Sequence, residues 1–241
     1  MQSPMEQFEI KRLLDFHIGS LDASYTNSAL WMTIAVILAF LLFVVGTQKK
    51  ALIPGRAQAM AELGYEFVAG MLRDNVGDAG KKYFPFVLTL FVFILFCNVL
   101  GLVPYSFTPT SHIIVTFAMA AVVFVGVTLI GFARHGAHFL SFFVPQGVPV
   151  WLLVILVPIE VISYFVRPFS LSIRLFANML AGHTMLKVFG GFVVMMGILG
   201  GWAPLAFIVI LTGLELLIAF LQAYVFAILT CLYLNDAIHL H

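Results

Sequence analysis

EVISYFVRPFSLSIRLFANMLAGHTMLK, residues 160–187, decides how the rest of the chain is read, because it sets Glu160, Arg167, Arg174, His183 and Lys187 within an otherwise apolar segment. An arginine near the middle of a bilayer costs between ~2.5 and ~17 kcal/mol depending on the reference state, so an ionisable group at that depth points to function. Glu160, Ser163, Arg167, Ser170, Arg174 and Asn178 recur at spacings of three and four, which puts them on one stripe of a helix. Such a stripe is not expected to face lipid.

The composition around this stretch is that of a multi-spanning membrane protein. Of 241 residues, 62% are hydrophobic and 10% charged, against roughly 45–50% apolar and ~25% charged in a soluble domain. The net charge of +1 lacks the clustered basic surface that nucleic acid requires, so no nucleic-acid partner is expected. Cys97 and Cys231 lie in apolar runs without any metal-ligand spacing and read as small buried hydrophobes. No metal site and no cofactor motif is expected, and the absence of H-E-x-x-H argues against a membrane metalloprotease.

Residues 1–28 mix Glu6, Glu9, Lys11, Arg12, Asp15 and Asp22 with scattered apolar positions, lack the pattern of a signal peptide, and read as a polar, partly amphipathic arm. The membrane domain is then expected over 29–241. ALWMTIAVILAFLLFVVGT, residues 29–47, is long enough for a first span. Lys49, Lys50 and Arg56 follow it and assign that end to the cytoplasm. Residues 57–76 carry Met60, Leu63, Phe67 and Met71 on one stripe and Gln58, Glu62, Glu66 and Arg73 on the other, the pattern of an interfacial helix or of one packed on neighbouring protein. Lys81 and Lys82 precede a second span, 83–103, with Pro85 in its first turn. The connector from Pro104 to Ser111 has no Lys or Arg, as expected of an outer loop, and a third span runs over 112–133 to Arg134. His135 and His138 in the following inner loop read as solvated rather than metal-binding, since no acidic or thiol ligand accompanies them.

From 148 to 189 no clear break occurs, and at ~1.5 Å per residue this is twice the bilayer core. Two spans turning at Arg167-Pro168 or one strongly tilted helix both satisfy the length; the single polar stripe favours the tilted helix. The five glycines of 190–201 read as an outer turn, although Gly197 and Gly201 also form a small-xxx-small helix contact pattern, and residues 203–234 read as a second long helix. The fold class is therefore an all-α membrane protein of about five membrane helices plus an interfacial amphipathic helix, with a long tilted C-terminal hairpin. With the turn centred near 199, His183 and Glu215 are equidistant from it and lie at one depth, and Gln222 comes level with Phe176, within reach of Arg174.

Arg174 keeps its proton at any physiological pH and acts only as a fixed charge. His183 and Glu215 can exchange protons and are relay candidates, or else a buried salt bridge joining two helices. Arg174 could equally pair structurally with Glu160 or Gln222, and Arg167 with Glu160. Lys187 near the outer end can snorkel. Asn98 and His112 flank the connector and either extend an outer aqueous path or are satisfied by neighbouring helices. His239 and His241 lie beyond the last span and read as solvated.

SLSIRLFANMLAGH, residues 170–183, together with LELLIAFLQAYVFAILTCLYL, residues 214–234, strongly resembles subunit a of the F-type rotary ATP synthases. CNVLGLVPYSFTPTSH, residues 97–112, is similar to the mitochondrial and alphaproteobacterial branch, and the resemblance runs from residue 29 to the C-terminus. It implies a stator subunit in the lipid bilayer beside a rotating ring of c subunits, held with peripheral-stalk b-type subunits and the rest of the synthase. Such a subunit conducts protons and has no catalytic residues or cofactor of its own. Arg174 matches the family's essential arginine between two aqueous half-channels, with Asn178 and Gln222 matching polar positions beside it. His183 and Glu215 match an outer imidazole and carboxylate pair, Asn98 the outer side, and Glu160 and Ser170 the inner side. A bacterial inner membrane is the implied location, a mitochondrial inner membrane the alternative. The other reading of midplane charges is a secondary transporter, but neither inverted repeats nor paired broken helices are visible.

Overall fold

The computed structural model describes residues 9–15, 17–18, 21–22, 24–48, 54–103, 106–144 and 149–239; the sequence assignments made for Glu6, Lys49, Lys50, Pro104, the helix start at Val148 and His241 lie outside them. The amino-terminal arm holds two small antiparallel pairs, β1 (Arg12–Leu14) with β4 (Tyr25–Thr26) and β2 (His17–Ile18) with β3 (Leu21–Asp22). Asn27 fastens this hairpin to the first helix. Its side-chain oxygen accepts from the Lys11 N–H at 3.2 Å and from the Ser28 N–H at 2.9 Å, and its amide donates to the Glu9 carbonyl at 3.1 Å.

Six helices follow: α1 (Asn27–Gln48), α2 (Arg56–Val76), α3 (Phe84–Gly101), α4 (Ile113–His135), α5 (Val150–Gly200) and α6 (Trp202–Ile238). Short 3-10 segments occupy Gly77–Tyr83, Pro109–Ser111 and Gly136–Phe143. Among the described residues, five helical segments are long and apolar enough to cross a membrane. With no water inside a bilayer to receive backbone polar groups, apolar runs of this length close their hydrogen bonds as helices.

Helix α5 runs without interruption through Arg167 and Pro168, so the single long helix is the correct reading and the two-span alternative is not. From Val150 to the break at Gly197 it would measure about 70 Å at ~1.5 Å per residue. The reversal to α6 is much tighter than residues 190–201. Helical geometry continues past Gly190 and Gly191, supported by the Phe189 ring packed 4.6 Å from Phe207 of α6, and breaks at Gly197, whose φ of 60° favours glycine. Glycine composition marked the right region but could not distinguish glycines that stay helical from the one that turns.

The buried face of α6 explains how the bundle closes. Ala219, Ala223, Ala227 and Cys231 recur every four residues, are fully buried, and form a ridge of small side chains. Such a ridge lets neighbouring backbones approach closely in a medium where burial of apolar surface offers little drive for association. It belongs to one core with Val87, Phe91 and Ile94 of α3, Val123 and Val127 of α4, and Leu171, Leu175 and Met179 of α5. Both free cysteines, Cys97 and Cys231, are buried.

Helix α2 packs through a face different from the stripe read in the sequence. Ala61, Val68, Leu72 and Val76 are buried with Met71, whereas Met60 and Leu63 are exposed. The protein-facing side is the one with small and branched residues, and Phe67 bridges to Phe91 of α3 at 5.5 Å and to Phe220 and Tyr224 of α6, each at 5.7 Å. His135 is likewise not simply solvated, because its Nε2 lies 3.1 Å from the Ile238 carbonyl and ties the end of α4 to the end of α6. His138 and His239 are exposed.

The connector between α3 and α4 departs furthest from its sequence reading. Phe107, Thr108, Thr110 and Ser111 are buried, so this segment is folded into the protein instead of lying out in solvent. Its side chains answer one another and the helices around them, which a pattern of loop composition does not reveal.

The helix order places Arg134 and the Lys81/Lys82 pair at the α6 C-terminal end and the Gly197–Gly201 turn at the opposite end. Single cysteines at Ala137 and Ala203, both exposed, test the orientation in intact cells with a membrane-impermeant thiol reagent. By the positive-inside rule, labelling at 203 and protection at 137 are expected; the reverse pattern would invert the topology. The buried Cys97 and Cys231 should contribute little background.

Candidate functional site

Helices α5 and α6 bring His183 and Glu215 into direct contact through Nδ1 and Oε1, at 8% and 4% exposure. The helix spacing fixes this meeting: both residues lie on the inward faces of two antiparallel helices, at nearly equal distances from the turn. Close approach needs Gly182 as well, since a Cβ there would sit 2.6 Å from Glu215 Oε1. The second Glu215 oxygen, Oε2, is buried without a partner among the described residues. A buried carboxylate with one oxygen paired and one unpaired is poorly compensated.

The far ring nitrogen of His183, Nε2, lies 2.6 Å from Thr108 Oγ1 of the buried connector. Two positions on, Thr110 donates to Asn98 Oδ1 at 2.8 Å, and Asn98 Nδ2 donates to the Ala219 carbonyl at 3.3 Å. Asn98 is fully buried and thereby joins α3, the connector and α6 one turn from Glu215. His112 stacks on Phe107 with centroids 5.1 Å apart, and its Nε2 is buried without a partner among the described residues.

Farther along, Thr116 of α4 meets Ser172 of α5 at 3.1 Å and Thr128 meets the Tyr164 hydroxyl at 2.6 Å. Arg167 donates to Asp236 at 3.0 Å, with Tyr233, Tyr164 and Phe142 rings 5.0, 5.4 and 5.8 Å from its guanidinium carbon. The sequence pairing of Arg167 with Glu160 is therefore corrected: the partner comes from α6. Between the two α5–α6 contacts, α5 advances 16 residues (183 to 167) while α6 advances 21 (215 to 236). The residue count from the turn is thus unequal on the two helices at the Arg167–Asp236 contact.

Arg174 is exposed, with Ser170 exposed beside it and Asn178 half-buried, and it lies close enough to α6 for its charge to act on Tyr233. Among the described residues, no hydrogen bond or ion pair reaches Arg174, Glu160, Ser170, Asn178 or Gln222. Gln222 is buried and Glu160 half-buried, while Lys187 is exposed. The pairing of Arg174 with Glu160 or Gln222 is not made. The structure thus assembles His183 with Glu215 and Asn98 with its own partners, and leaves Arg174 exposed along the stripe. Thr108 and Thr110 were missed by the sequence reading; the only signal for them was a hydroxyl-rich connector, SFTPTS, of a kind common in ordinary turns. No group of His, Cys, Asp and Glu among the described residues could hold a metal.

The ATP synthase A chain family profile matches residues 29–235. The ATP synthase subunit a of Paramagnetospirillum magneticum is 58% identical over 247 residues, covering 100% of both chains. That of Pelagibacter ubique is 57% identical over 240 residues, covering 99% of this chain and 98% of its own. That of Rhodospirillum rubrum is 57% identical over 241 residues, covering 100% of both.

The contact between His183 and Glu215 makes a thermodynamic prediction. Removing one partner of a buried pair should destabilise by ~3–5 kcal/mol, whereas removing both leaves no unpaired charge. Denaturation midpoints of the His183→Ala, Glu215→Ala and double variants should therefore place the double variant no lower than either single one. Additive losses would mean that the two side chains are not coupled.

Proposed function

Since the chain belongs to the ATP synthase A chain family, we propose that it works as the proton-translocating stator subunit of a rotary ATP synthase, with Arg174 as its fixed charge and His183 and Glu215 as its proton-exchanging pair. The observation that carries this reading is Arg174 itself: a permanent cation exposed on the longest described helix, without a hydrogen bond or ion pair among the described residues. A charge left so at membrane depth calls for a partner outside the subunit. A ring carried by c subunits, each presenting a carboxylate, supplies it.

The subunit is not itself the site of ATP chemistry. Protons from the outer side reach His183 and Glu215, where the unpartnered Glu215 oxygen can take one up, and pass to a ring carboxylate. The neutralised carboxylate can then enter lipid, and after nearly a full rotation it releases its proton toward the inner side along Glu160 and Ser170. Arg174, flanked by Asn178 and Gln222, attracts the ionised carboxylate and bars direct passage between the two paths. A potential of 100 mV supplies about 2.3 kcal/mol per proton. That is small beside the penalty of an unpaired buried carboxylate, so Arg174 is what makes deprotonation feasible there. Asn98 supports the outer side by holding the connector against α6. The peripheral-stalk subunits keep the chain from turning with the ring, and a bacterial inner membrane is its setting. An exposed, unpaired cation is a poor substrate site for a secondary transporter, whose ligands converge on a cavity.

Two experiments in fully assembled complexes test this. Arg174→Ala should abolish ATP synthesis and ATP-driven pumping in proteoliposomes, with passive proton permeability equal or higher. Arg174→Lys should also fail, because an ammonium is a point charge that can lose its proton when desolvated. Substantial proton-driven synthesis by Arg174→Ala would reduce the arginine to a packing residue. Exchanging the pair, His183→Glu with Glu215→His, should retain more synthesis than either single change; parity with the single variants would argue against a shared proton.

A further inference from the structure

His183 has hydrogen-bond partners on both ring nitrogens, and only one belongs to the hairpin. Nδ1 faces Glu215 of α6; Nε2 lies 2.6 Å from the hydroxyl of Thr108 on the connector between α3 and α4. That hydroxyl has a second neighbour, the Gly101 carbonyl at the end of α3, 3.4 Å away. Thr108 is 3% exposed, so no bulk water replaces either contact. Its position is built in: Ser111 Oγ donates to the Thr108 carbonyl at 2.7 Å, and a Cβ on Gly101 would collide with the Thr108 side chain.

A hydroxyl has one hydrogen to give and lone pairs to receive with. When His183 is neutral with its proton on Nδ1, donated to Glu215, Nε2 is an acceptor and Thr108 donates to it. When His183 gains a second proton, Nε2 becomes a donor; Thr108 then accepts and turns its own hydrogen to the Gly101 carbonyl. Both states keep Nε2 and the Thr108 hydroxyl hydrogen-bonded, and the charged state gains the stronger bond because its donor is ionised. The second proton reaches Nε2 from a hydronium ion of the outer path, which leaves as water, while the Thr108 O–H points to the Gly101 carbonyl; no covalent bond to the Thr108 oxygen breaks, and the O–H only rotates.

We propose that Thr108 is a positioning residue for proton uptake, a hydroxyl rotor that keeps His183 Nε2 hydrogen-bonded in both protonation states and so lets the imidazole charge and discharge at a buried position. This rests on the assignment of His183 and Glu215 to the proton path. The charged and titratable groups around His183 are Glu215 on α6, His112 on the connector, and Lys187 and Arg174 on its own helix. Helix α3 carries no charged residue, and those of α4, Arg134 and His135, lie at its far end. Thr108 is therefore the group that answers Nε2 directly.

The test uses assembled synthase in proteoliposomes, with ATP synthesis followed against the pH of the compartment facing the connector at constant total driving force. Thr108→Val removes the hydroxyl at equal volume, and Thr108→Ala removes it without filling space. Both should lower the rate by about tenfold, the order of effect of leaving one buried hydrogen-bonding group unpaired. Both should also move the half-maximal rate to lower pH, because the imidazolium loses more than the neutral ring. Thr108→Ser should restore the wild-type profile. A wild-type rate and profile in Thr108→Val or Thr108→Ala, alongside an inactive His183→Ala, would overturn the rotor while sparing the proton path. Loss in Thr108→Ser equal to that in Thr108→Val would also overturn it, since shape and not the hydroxyl would matter. If His183→Ala itself keeps full synthesis, the underlying assignment fails and takes the rotor with it.

Discussion

The contact between His183 and Glu215 is what the turn end of the α5–α6 hairpin is arranged to hold. Two groups that can carry charge meet at a buried position, and burying them is costly unless neighbouring groups supply hydrogen bonds. The surrounding architecture follows from that demand. Gly182 leaves room for the carboxylate, the connector folds inward to bring Thr108 to the imidazole, and Thr110 with Asn98 fastens that connector to the Ala219 carbonyl. Glu215 Oε2 is left unmatched among the described residues.

The two arginines of α5 show how one residue type is put to opposite uses seven positions apart. Arg167 is answered within the chain, by Asp236 and by the faces of Tyr233, Tyr164 and Phe142, an arrangement of ion pair and cation–π contacts that suits a planar guanidinium. It locks α5 to α6 at the end remote from the Gly197 turn. Arg174 is exposed and has no hydrogen bond or ion pair among the described residues. An unpaired cation is unfavourable in lipid. With both ends of the hairpin pinned, at His183–Glu215 and at Arg167–Asp236, Arg174 is carried on a stretch whose position the chain itself fixes.

Sequence alone determined the helices, because the hydrocarbon core imposes length and apolar content on any segment that crosses it, and that constraint is local. It also determined the polar stripe of α5 and the pairing of His183 with Glu215, since equal counting from a glycine-rich turn needs only a regular rise per residue. The tertiary structure decided what local periodicity cannot carry. Of five glycines, Gly197 alone takes the positive φ of the turn; the face of α2 that packs is set by the neighbours it meets; Arg167 finds Asp236 at a residue count from the turn that is unequal on the two helices. Above all, Thr108 reaches His183 across 75 positions of sequence. A threonine in a hydroxyl-rich connector carries no mark of that role, because hydrogen bonds between distant segments exist only once helix packing has brought their donors and acceptors together.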